Sequence, residues 1–595
     1  MKKLLTGNEA VARGALEAGV AYAAAYPGTP STEILENIAE YKNEIIAEWA
    51  PNEKVALECA FGASFAGARA LASMKMVGVN VAADPLFSLA YSGINGGLVL
   101  ISADDPGLHS SQNEQDNRYY AKSAKIVMLE PSDSQESKDM ILAAMEISEL
   151  FDTCVLFRMT TRICHSKSLV EYNEKTVEQK KKPYVKNLEK YNLVPANSRK
   201  LHVVLEEKLR KLEKYSNTTP LNYIEWNDKK IGVISSGISY QYAKEVFEDK
   251  VSYLKLGFTY PMPMEKIKAF AKEVGTIYVI EELEPFIEEQ LKAVGIKCIG
   301  KEKLPVIGEL STDIIAKAFL NEERDLINYD SNVLVSRPPI LCAGCPHRGF
   351  FYELSKRKDV IVTGDIGCYS LGGSEPMNAM ESILCMGGSI SMGHGVQKVL
   401  DKFGNNIHTI STIGDSTFFH SGMTSLLTVV YNKSRHITCI LDNRITGMTG
   451  HQENPGTGYS LQGEPAKIIE IEPLVRALGI EYVKTVNPNN LQEIREALEW
   501  AIALDEPSVI ITRWPCVLKK INEADKQEFG EFMHKYRIDQ EKCTGCKMCL
   551  NTVCPSLRYN KEAKKVAIDD TQCVGCAVCK QVCKVNAIEK VGEKA

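Results

Sequence analysis

No run in this 595-residue sequence approaches the ~18 consecutive apolar residues that a membrane-spanning helix needs. An excess of basic residues is also absent: 70 Lys and Arg stand against 76 Asp and Glu, which argues against a nucleic-acid partner. The opening MKKLLTGNEAVARG turns polar at Thr6 and lacks the apolar core of a signal peptide. We therefore expect a cytoplasmic protein that engages neither membrane nor nucleic acid.

Cysteine is plentiful, with 18 residues, and in a reducing compartment these indicate metal, redox or buried thiols rather than disulfides. Eight of them lie in two runs near the end, CTGCKMCLNTVCP and CVGCAVCKQVCK. Two-residue gaps let three thiolates converge on one iron–sulfur cube while a distant cysteine supplies the fourth corner. A pair of zinc sites is the alternative, although zinc rarely uses a CxxCxxC run.

These runs resemble the bacterial two-cluster ferredoxin pattern, in which the fourth cysteine of each run ligates the other cluster. Two departures are a four-residue gap before the fourth cysteine of the first run and Lys584 where a proline is usual. The pattern implies one 4Fe–4S cluster on Cys543, Cys546, Cys549 and Cys583, and a second on Cys554, Cys573, Cys576 and Cys579.

Upstream of this tail, short apolar runs alternate with stretches of helical periodicity. That rhythm is typical of α/β domains built on doubly wound parallel sheets. We predict five regions: α/β domains at 1–190 and 331–528, a linker with one helix at 191–228, a small α/β domain at 229–330, and an α+β cysteine-rich domain at 529–595.

The segment from TIGDSTFFHSG to ITCILDN predicts a strand, a helix and a second strand, one βαβ unit. Gly414 and Asp415 end the first strand and Asn443 follows the second, at the carboxyl edge where open α/β sheets bind ligands. Asp415 and Asn443 offer oxygen ligands to a Mg²⁺ that bridges a diphosphate, and the helix start at Ser416 offers N–H groups. This spacing resembles the thiamine diphosphate signature, which adds the backbone carbonyl of Ile445 as a ligand.

Thiamine diphosphate enzymes use a second domain whose glutamate hydrogen-bonds N1′ of the pyrimidine. The first region contains NEKVALECAFGASFAGARA, and there we predict Glu58, because its Ala, Gly and Phe neighbours would exclude water and raise its pKa. A solvated helix carboxylate is the alternative for Glu58. Glu53 competes for the role, although a position near the helix start is explained by capping.

Over essentially its whole length the sequence resembles the 2-oxoacid:ferredoxin oxidoreductases, and among them the α subunits acting on indolepyruvate. The matching motifs include YPGTPSTEI, HSSQNEQDNR, CAGCPHR and GDIGCYSLG. The resemblance implies oxidative decarboxylation of aryl pyruvates with coenzyme A, reducing ferredoxin, with thiamine diphosphate, Mg²⁺ and 4Fe–4S clusters as cofactors. It also implies a smaller β subunit, in a heterodimer or α2β2 assembly. Regions 1–190, 229–330 and 331–528 then correspond to pyrimidine-binding, transketolase C-terminal-like and diphosphate-binding domains, and 529–595 to a ferredoxin-like domain.

The residues that contact the substrate are predicted from the same resemblance. YPGTP is similar to a YPITP loop whose threonine contacts the substrate carboxylate, so Thr29 takes that role. Gly28 replaces an isoleucine, either to make room for an aromatic ring or to serve a tight turn. Arg118 is a second candidate contact, since a guanidinium binds a carboxylate bidentately; a structural role is its alternative.

A third 4Fe–4S cluster is predicted near the thiamine site, because pyruvate-specific relatives hold one there with similarly scattered cysteines. Its ligands would be Cys342, Cys345, Cys368 and Cys516. Buried free thiols are the alternative. Two rival functions also stay open: a non-oxidative thiamine decarboxylase with a structural tail, and an electron-transfer subunit that binds no thiamine.

Overall fold

The computed structural model describes residues 1–173, 181–323, 330–335, 337–530 and 534–592. Within them, none of the helices combines the length and apolarity needed to span a membrane. The chain divides into two compact units, Met1–Tyr329 and Asp330–Ala595. Residues 174–180 of the first predicted domain and 324–329 beside the predicted boundary at 330 lie outside the described residues.

The first unit contains thirteen of the described strands. They are β1 (Lys2–Thr6), β2 (Tyr22–Ala25), β3 (Ile46–Trp49), β4 (Ala70–Lys75), β5 (Leu98–Asp104), β6 (Val127–Leu129), β7 (Val155–Thr160), β8 (Lys167–Glu171), β9 (Asn222–Glu225), β10 (Ile231–Ser236), β11 (Ser252–Leu256), β12 (Phe258–Tyr260) and β13 (Thr276–Ile280).

Its helices are α1 (Gly7–Glu17), α2 (Thr32–Ile38), α3 (Glu53–Phe65), α4 (Met76–Val81), α5 (Ala83–Ser92), α6 (Arg118–Ala124), α7 (Ser134–Phe151), α8 (Thr161–His165), α9 (Leu188–Tyr191), α10 (Pro195–Ser216), α11 (Gly237–Phe247), α12 (Met264–Glu273), α13 (Phe286–Ala293) and α14 (Thr312–Leu320).

A seven-stranded sheet in the order β12-β6-β7-β5-β4-β2-β3 forms the centre of this unit. Every residue of β4, β5 and β7 is buried, as expected for parallel strands covered by helices on both faces. A second sheet has the order β13-β10-β11-β9. Strands β1 and β8 pair antiparallel in a separate ribbon.

Two elements depart from the predicted regions. Strand β9 lies in the stretch predicted as linker and helix, yet it pairs antiparallel with β11. Strand β12 comes from the predicted 229–330 domain and pairs antiparallel with β6 of the first sheet. The two α/β parts of the unit therefore share a sheet edge. The predicted surface helix is present as α10.

The second unit contains β14 (Val360–Gly364), β15 (Ser382–Ile383), β16 (His408–Gly414), β17 (Ile437–Asp442), β18 (Tyr482–Val486), β19 (Ser508–Arg513), β20 (Tyr536–Ile538), β21 (Leu557–Asn560), β22 (Lys565–Ile568) and β23 (Ile588–Lys590). Its helices are α15 (His347–Leu354), α16 (Gly388–Lys402), α17 (Asp415–Thr417), α18 (Met423–Tyr431), α19 (Ile471–Ala477), α20 (Leu491–Ile502), α21 (Glu523–Phe529) and α22 (Val578–Gln581).

Strands β14 to β19 form one parallel sheet in the order β15-β14-β16-β17-β19-β18. A π-helical turn, Phe418–Gly422, joins α17 to α18, so the predicted strand–helix–strand unit is present. The tail adds two antiparallel pairs, β20 with β23 and β21 with β22. Gln581 fastens the tail to the α/β part, accepting from Leu491 N–H at 2.9 Å and donating to Asn489 O at 2.7 Å.

Candidate functional site

The predicted diphosphate site lies where β16 and β17 end side by side, with Gly414 opposite Leu441 in parallel register. Asp415 and Asn443 follow these ends and are 4% and 7% exposed. The Asn443 amide oxygen accepts from the Ile445 N–H at 3.3 Å. The predicted oxygen ligands are therefore brought to one edge of the sheet.

Asp415 is a buried carboxylate that has no ion pair with Lys, Arg or His in the described part of the chain. Asn454 donates to its Oδ2 at 3.0 Å. Burial raises the pKa of Asp415 to about 8, and the neighbouring charge of Asp442 adds to the shift. A buried carboxylate of this kind needs a cation, and carboxylate and amide oxygens are the ligands that Mg²⁺ takes. The residues present thus fit a magnesium-bound diphosphate.

In the tail, the eight cysteines line two separate cavities. One cavity is lined by Cys543, Cys546, Cys549 and Cys583, and the other by Cys554, Cys573, Cys576 and Cys579. Each set combines three cysteines of one run with the fourth of the other run. This is the grouping that the two-cluster pattern implies.

The loops of the two runs have the same backbone conformation. Gly545 and Gly575 adopt φ of 67° and 92°, and Lys547 and Ala577, two residues later, adopt 63° and 62°. A non-glycine residue in the left-handed region of φ costs about 1–2 kcal/mol of backbone strain. The recurrence of such residues at matching positions of the two runs therefore marks a functional constraint. The extra residue before Cys554 is taken up by a 3₁₀ turn, Met548–Thr552, and by Val553 at φ 55°.

Among the ten cysteines outside the tail, the four predicted ligands of a third cluster are close enough for their charges to act on one another. Burial raises the pKa of Cys345 to about 12 and of Cys368 to about 11; the charges of Cys516 and Cys368 act on Cys345, and those of Cys516 and Cys342 act on Cys368. The Cys516 N–H donates to the Asn443 carbonyl at 2.9 Å. This cysteine group is therefore contiguous with the diphosphate site.

The predicted substrate loop follows β2, and its neighbour is a lysine that the sequence analysis did not single out. Lys75, the last residue of β4, is 9% exposed, and its ammonium donates to the carbonyl and hydroxyl of Ser110 at 2.5 and 3.3 Å. The Ser110 hydroxyl in turn donates to the Thr29 carbonyl at 3.3 Å. Burial lowers the pKa of Lys75 to about 8.

Gly28 is explained by this lysine. A Cβ at Gly28 would lie 3.0 Å from the Lys75 Cβ, so a branched side chain there would collide with the lysine stem. The φ of Gly28 is not in the left-handed region. Gly28 does begin a turn, in which the Ser31 N–H donates to its carbonyl at 2.9 Å; the space for an aromatic ring stays a prediction.

The prediction that Arg118 binds a substrate carboxylate is corrected. Its side chain is 1% exposed, and each guanidinium nitrogen already donates to protein oxygens. Asp116 and Glu281 form ion pairs with it at 2.5 and 2.6 Å, and the carbonyls of Glu282 and Glu284 accept from Nη2. Arg118 thus joins the two α/β parts of the first unit.

The expected dry environment of Glu58 is also absent. Its side chain is 44% exposed and pairs with Lys54, one turn earlier on α3, because the apolar residues of this segment face away from it. Glu53, at the start of the same helix, is 4% exposed. Asn52 caps this helix, its side chain accepting from Val55 N–H at 2.9 Å, and Glu53 is the acidic residue of the first turn, where the helix dipole favours a carboxylate.

The burial of Glu53 depends on a glycine in the next helix, α4. A Cβ at Gly78, in the first turn of α4, would lie 2.6 Å from the Glu53 Cγ and 2.7 Å from its Oε1. Only a residue without a side chain leaves room for the carboxyl group at this position. Of the two carboxylates weighed from the sequence, Glu53 is therefore the buried one, and which of them meets the pyrimidine stays a prediction.

Three parts of this chain match models of known protein families. Residues 13–219 match the family model for pyruvate flavodoxin/ferredoxin oxidoreductase, thiamine diphosphate-binding. Residues 365–512 match the C-terminal binding domain of thiamine pyrophosphate enzymes, and 535–585 match a 4Fe-4S dicluster domain.

Among curated relatives, indolepyruvate oxidoreductase subunit IorA of Archaeoglobus fulgidus is 41% identical over 94% of this chain and 93% of its own. The Pyrococcus horikoshii subunit of the same name is also 41% identical, over 100% of this chain and 97% of its own. The chain belongs to the IorA family. A solved 2-oxoglutarate:ferredoxin oxidoreductase from Magnetococcus marinus aligns over 54% of this chain and 65% of its own, with 17% identity and a TM-score of 0.46, too low to carry an argument.

Membership in the IorA family confirms the predicted fold class and a thiamine diphosphate-dependent oxidoreductase that decarboxylates 2-oxo acids and delivers electrons to ferredoxin. It excludes the alternative of an electron-transfer subunit that binds no thiamine. It also excludes the alternative of two zinc sites on the tail cysteines. Two residues were missed from sequence: Lys75, beside the predicted substrate loop of the first unit, and Asn454, at the predicted diphosphate site of the second. A charged residue ending the apolar strand ALASMK was the available signal for Lys75; nothing in the sequence marks Asn454.

Proposed function

We propose that this chain is the catalytic subunit of an aryl pyruvate:ferredoxin oxidoreductase acting with a smaller partner subunit. The reaction takes a 2-oxo acid anion such as indolepyruvate, coenzyme A and two oxidised ferredoxins. It yields the aryl-acetyl-CoA, carbon dioxide, one proton and two reduced ferredoxins. The names of the IorA relatives support the substrate class and the existence of a partner.

The observation that carries this proposal is the contact between the two predicted cofactor sites. Asn443 is a predicted magnesium ligand, and its carbonyl accepts from the backbone of Cys516, a predicted cluster ligand, at 2.9 Å. Thiamine diphosphate supplies the electron sink for decarboxylation when bound. An electron acceptor contiguous with that site favours oxidative over non-oxidative decarboxylation.

Three side chains are assigned to thiamine diphosphate: two at its diphosphate end and one at N1′ of its pyrimidine. Asp415 and Asn443, with the carbonyl of Ile445, would bind Mg²⁺, and the N–H groups at Ser416 would donate to the phosphates. Glu53, rather than Glu58, would hydrogen-bond N1′ of the pyrimidine, because its burial shields the shared proton from water.

Lys75, rather than Arg118, pairs with the carboxylate of the 2-oxo acid. It sits beside Thr29 at the carboxyl edge of the first sheet, where α/β folds bind ligands. Its ammonium has no carboxylate within ion-pair distance in the described residues, and it donates only to Ser110. A charge-assisted bond to a carboxylate is the stronger interaction for such a group.

The cluster ligands follow the observed grouping. The tail sets on Cys543 and Cys573 each hold one 4Fe–4S cluster, and Cys342, Cys345, Cys368 and Cys516 hold a third beside the thiamine site. Purified anaerobically with its partner, the protein should contain about twelve irons per copy of this chain. A value of about eight removes the third cluster, and Cys345→Ser should lower the count by about four only if that cluster exists.

The function is tested by anaerobic reduction of the assembled holoenzyme with indolepyruvate, phenylpyruvate, hydroxyphenylpyruvate and pyruvate, with and without coenzyme A. We expect cluster bleaching with the aryl substrates, and turnover with ferredoxin only when coenzyme A is present. Aldehyde release without cluster reduction would instead support the non-oxidative alternative. Equal kcat/KM for pyruvate and the aryl substrates contradicts the substrate class.

A further inference from the structure

Arg348, at the start of α15, is a fully buried guanidinium with no acidic partner. Its side chain is 0% exposed. Nη1 donates to the carbonyl of Thr552, and Nη2 donates to the carbonyls of Leu341 and Cys342, all at 2.6 Å. Nε is buried without a hydrogen-bond acceptor, and no carboxylate among the described residues forms an ion pair with this arginine.

Two other buried arginines of this chain do have acidic partners. Arg118 pairs with two carboxylates, and so does Arg158, through Asp104 at 2.9 Å and Glu130 at 2.7 Å. Burying a guanidinium without a counter-ion is strongly unfavourable, because neutral carbonyls replace only part of its hydration. The position of Arg348 therefore indicates a negative group that is not an acidic side chain.

Cysteines of two groups lie within the electrostatic reach of this arginine. Its positive charge acts on Cys345, in the thiamine-side group, and on Cys576, in the second tail set. The two loops touch: a Cβ at Gly344 would lie 2.1 Å from a Val574 methyl carbon. The carbonyls that Arg348 binds belong to both cysteine regions, since Cys342 is in one and Thr552 lies just before Cys554 of the other.

We propose that Arg348 is the shared internal counter-charge of two iron–sulfur clusters, the tail cluster on Cys554, Cys573, Cys576 and Cys579 and the thiamine-side cluster. The second half of this statement rests on the proposed function, whereas the first requires only the dicluster tail. A thiolate-ligated cluster is anionic and becomes more negative on reduction, so a fixed positive charge raises its reduction potential. Arg348 thereby favours electron transfer out of the thiamine site into the tail.

The outer cluster, on Cys543, Cys546, Cys549 and Cys583, serves as an internal reference. The largest charge effects on Cys549 come from the other three cysteines of its own set, whereas Arg348 is among the causes for Cys576. Replacing Arg348 should accordingly shift two potentials and leave the third in place. A general loosening of the tail would affect all three.

The test is an EPR-monitored redox titration of the assembled holoenzyme carrying Arg348→Gln or Arg348→Lys. Gln removes the charge and should make reduction of the two inner clusters about tenfold less favourable, which is about 59 mV for one electron. Lys keeps the charge and should hold both potentials near those of the unmodified enzyme. Arg435→Gln is the matched control, because Arg435 pairs with Asp401 at 2.7 Å and its other hydrogen-bond partners are His408 and Asn405, not a cluster cysteine.

Unchanged potentials in Arg348→Gln, or equal shifts in the Gln and Lys variants, would overturn the proposal and leave Arg348 a structural anchor. If Gln prevents iron loading while Lys permits it, the charge itself is required, which supports the proposal. Failure of both variants to load contradicts it. An iron content of about eight would remove the thiamine-side cluster and the corresponding part of the proposed function, yet the shift of the Cys576 cluster would still be measured.

Discussion

Replacing Glu53 by glutamine should abolish most turnover, and the same change at Glu58 should not. Glu53 is 4% exposed, against 44% for the Glu58 side chain. Proton transfer through a positioned carboxyl group contributes about 10²–10⁴-fold to rate. At 1.36 kcal/mol per decade this is about 3–5 kcal/mol of the activation barrier. Glutamine keeps the size of the side chain and removes only the ability to share the proton.

A substitution at Gly78, which faces Glu53, tests the role of the same carboxylate independently. Gly78→Ala places a methyl group within 2.6 Å of the Glu53 Cγ, so the carboxylate must move. A displacement of about 1 Å in a catalytic group can lower the rate about 10²-fold. We expect Gly78→Ala to lower kcat by about that factor while Glu53 itself remains present.

The direct assay is the exchange of the C2 proton of bound thiamine diphosphate, followed by quenched-flow NMR, alongside kcat, cofactor affinity and Tm. Exchange and kcat should fall together in Glu53→Gln and stay within about twofold in Glu58→Gln. The reasoning is refuted if Glu58→Gln slows exchange and Glu53→Gln does not. A fall in Tm without slower exchange would make Glu53 a structural residue.

Three further results are expected. Asp415→Asn should weaken Mg²⁺-dependent thiamine diphosphate binding at least about 100-fold without loss of iron, measured by calorimetry and iron assay, since the carboxylate supplies the ligand charge. The lowered pKa of Lys75, about 8, means that its positive charge is present below pH 8 and lost as the pH rises through that value. KM for the 2-oxo acid should then rise about tenfold per pH unit above 8, and a pH-independent KM contradicts this. Gly575→Ala, whose Cβ would lie 2.2 Å from the His534 carbonyl, should cost one cluster, whereas Gly592→Ala, with no atom within 4 Å, should keep its iron.

Local patterns in the sequence were sufficient wherever the chemistry depends on residues close together in the chain. The spacing of Gly414–Asp415 and Asn443 predicts two strand ends in one βαβ unit, and parallel pairing then brings them to one edge. The CxxCxxC runs likewise define most of a cluster site by themselves. The exchange of the fourth cysteine between runs was implied by the resemblance to two-cluster ferredoxins, and the cysteines line the two cavities in that grouping.

Burial and long-range partners were decided only by the tertiary structure. Glu53 and Glu58 lie on one helix, yet which of them is dry depends on Gly78, and Arg118 is occupied by Glu281, 163 residues away. Lys75 fills the space beside Gly28 because β2 and β4 are neighbours in the sheet. Ligand spacing is a property of the local backbone, whereas the exposure and pairing of a charge depend on what the rest of the chain packs against it.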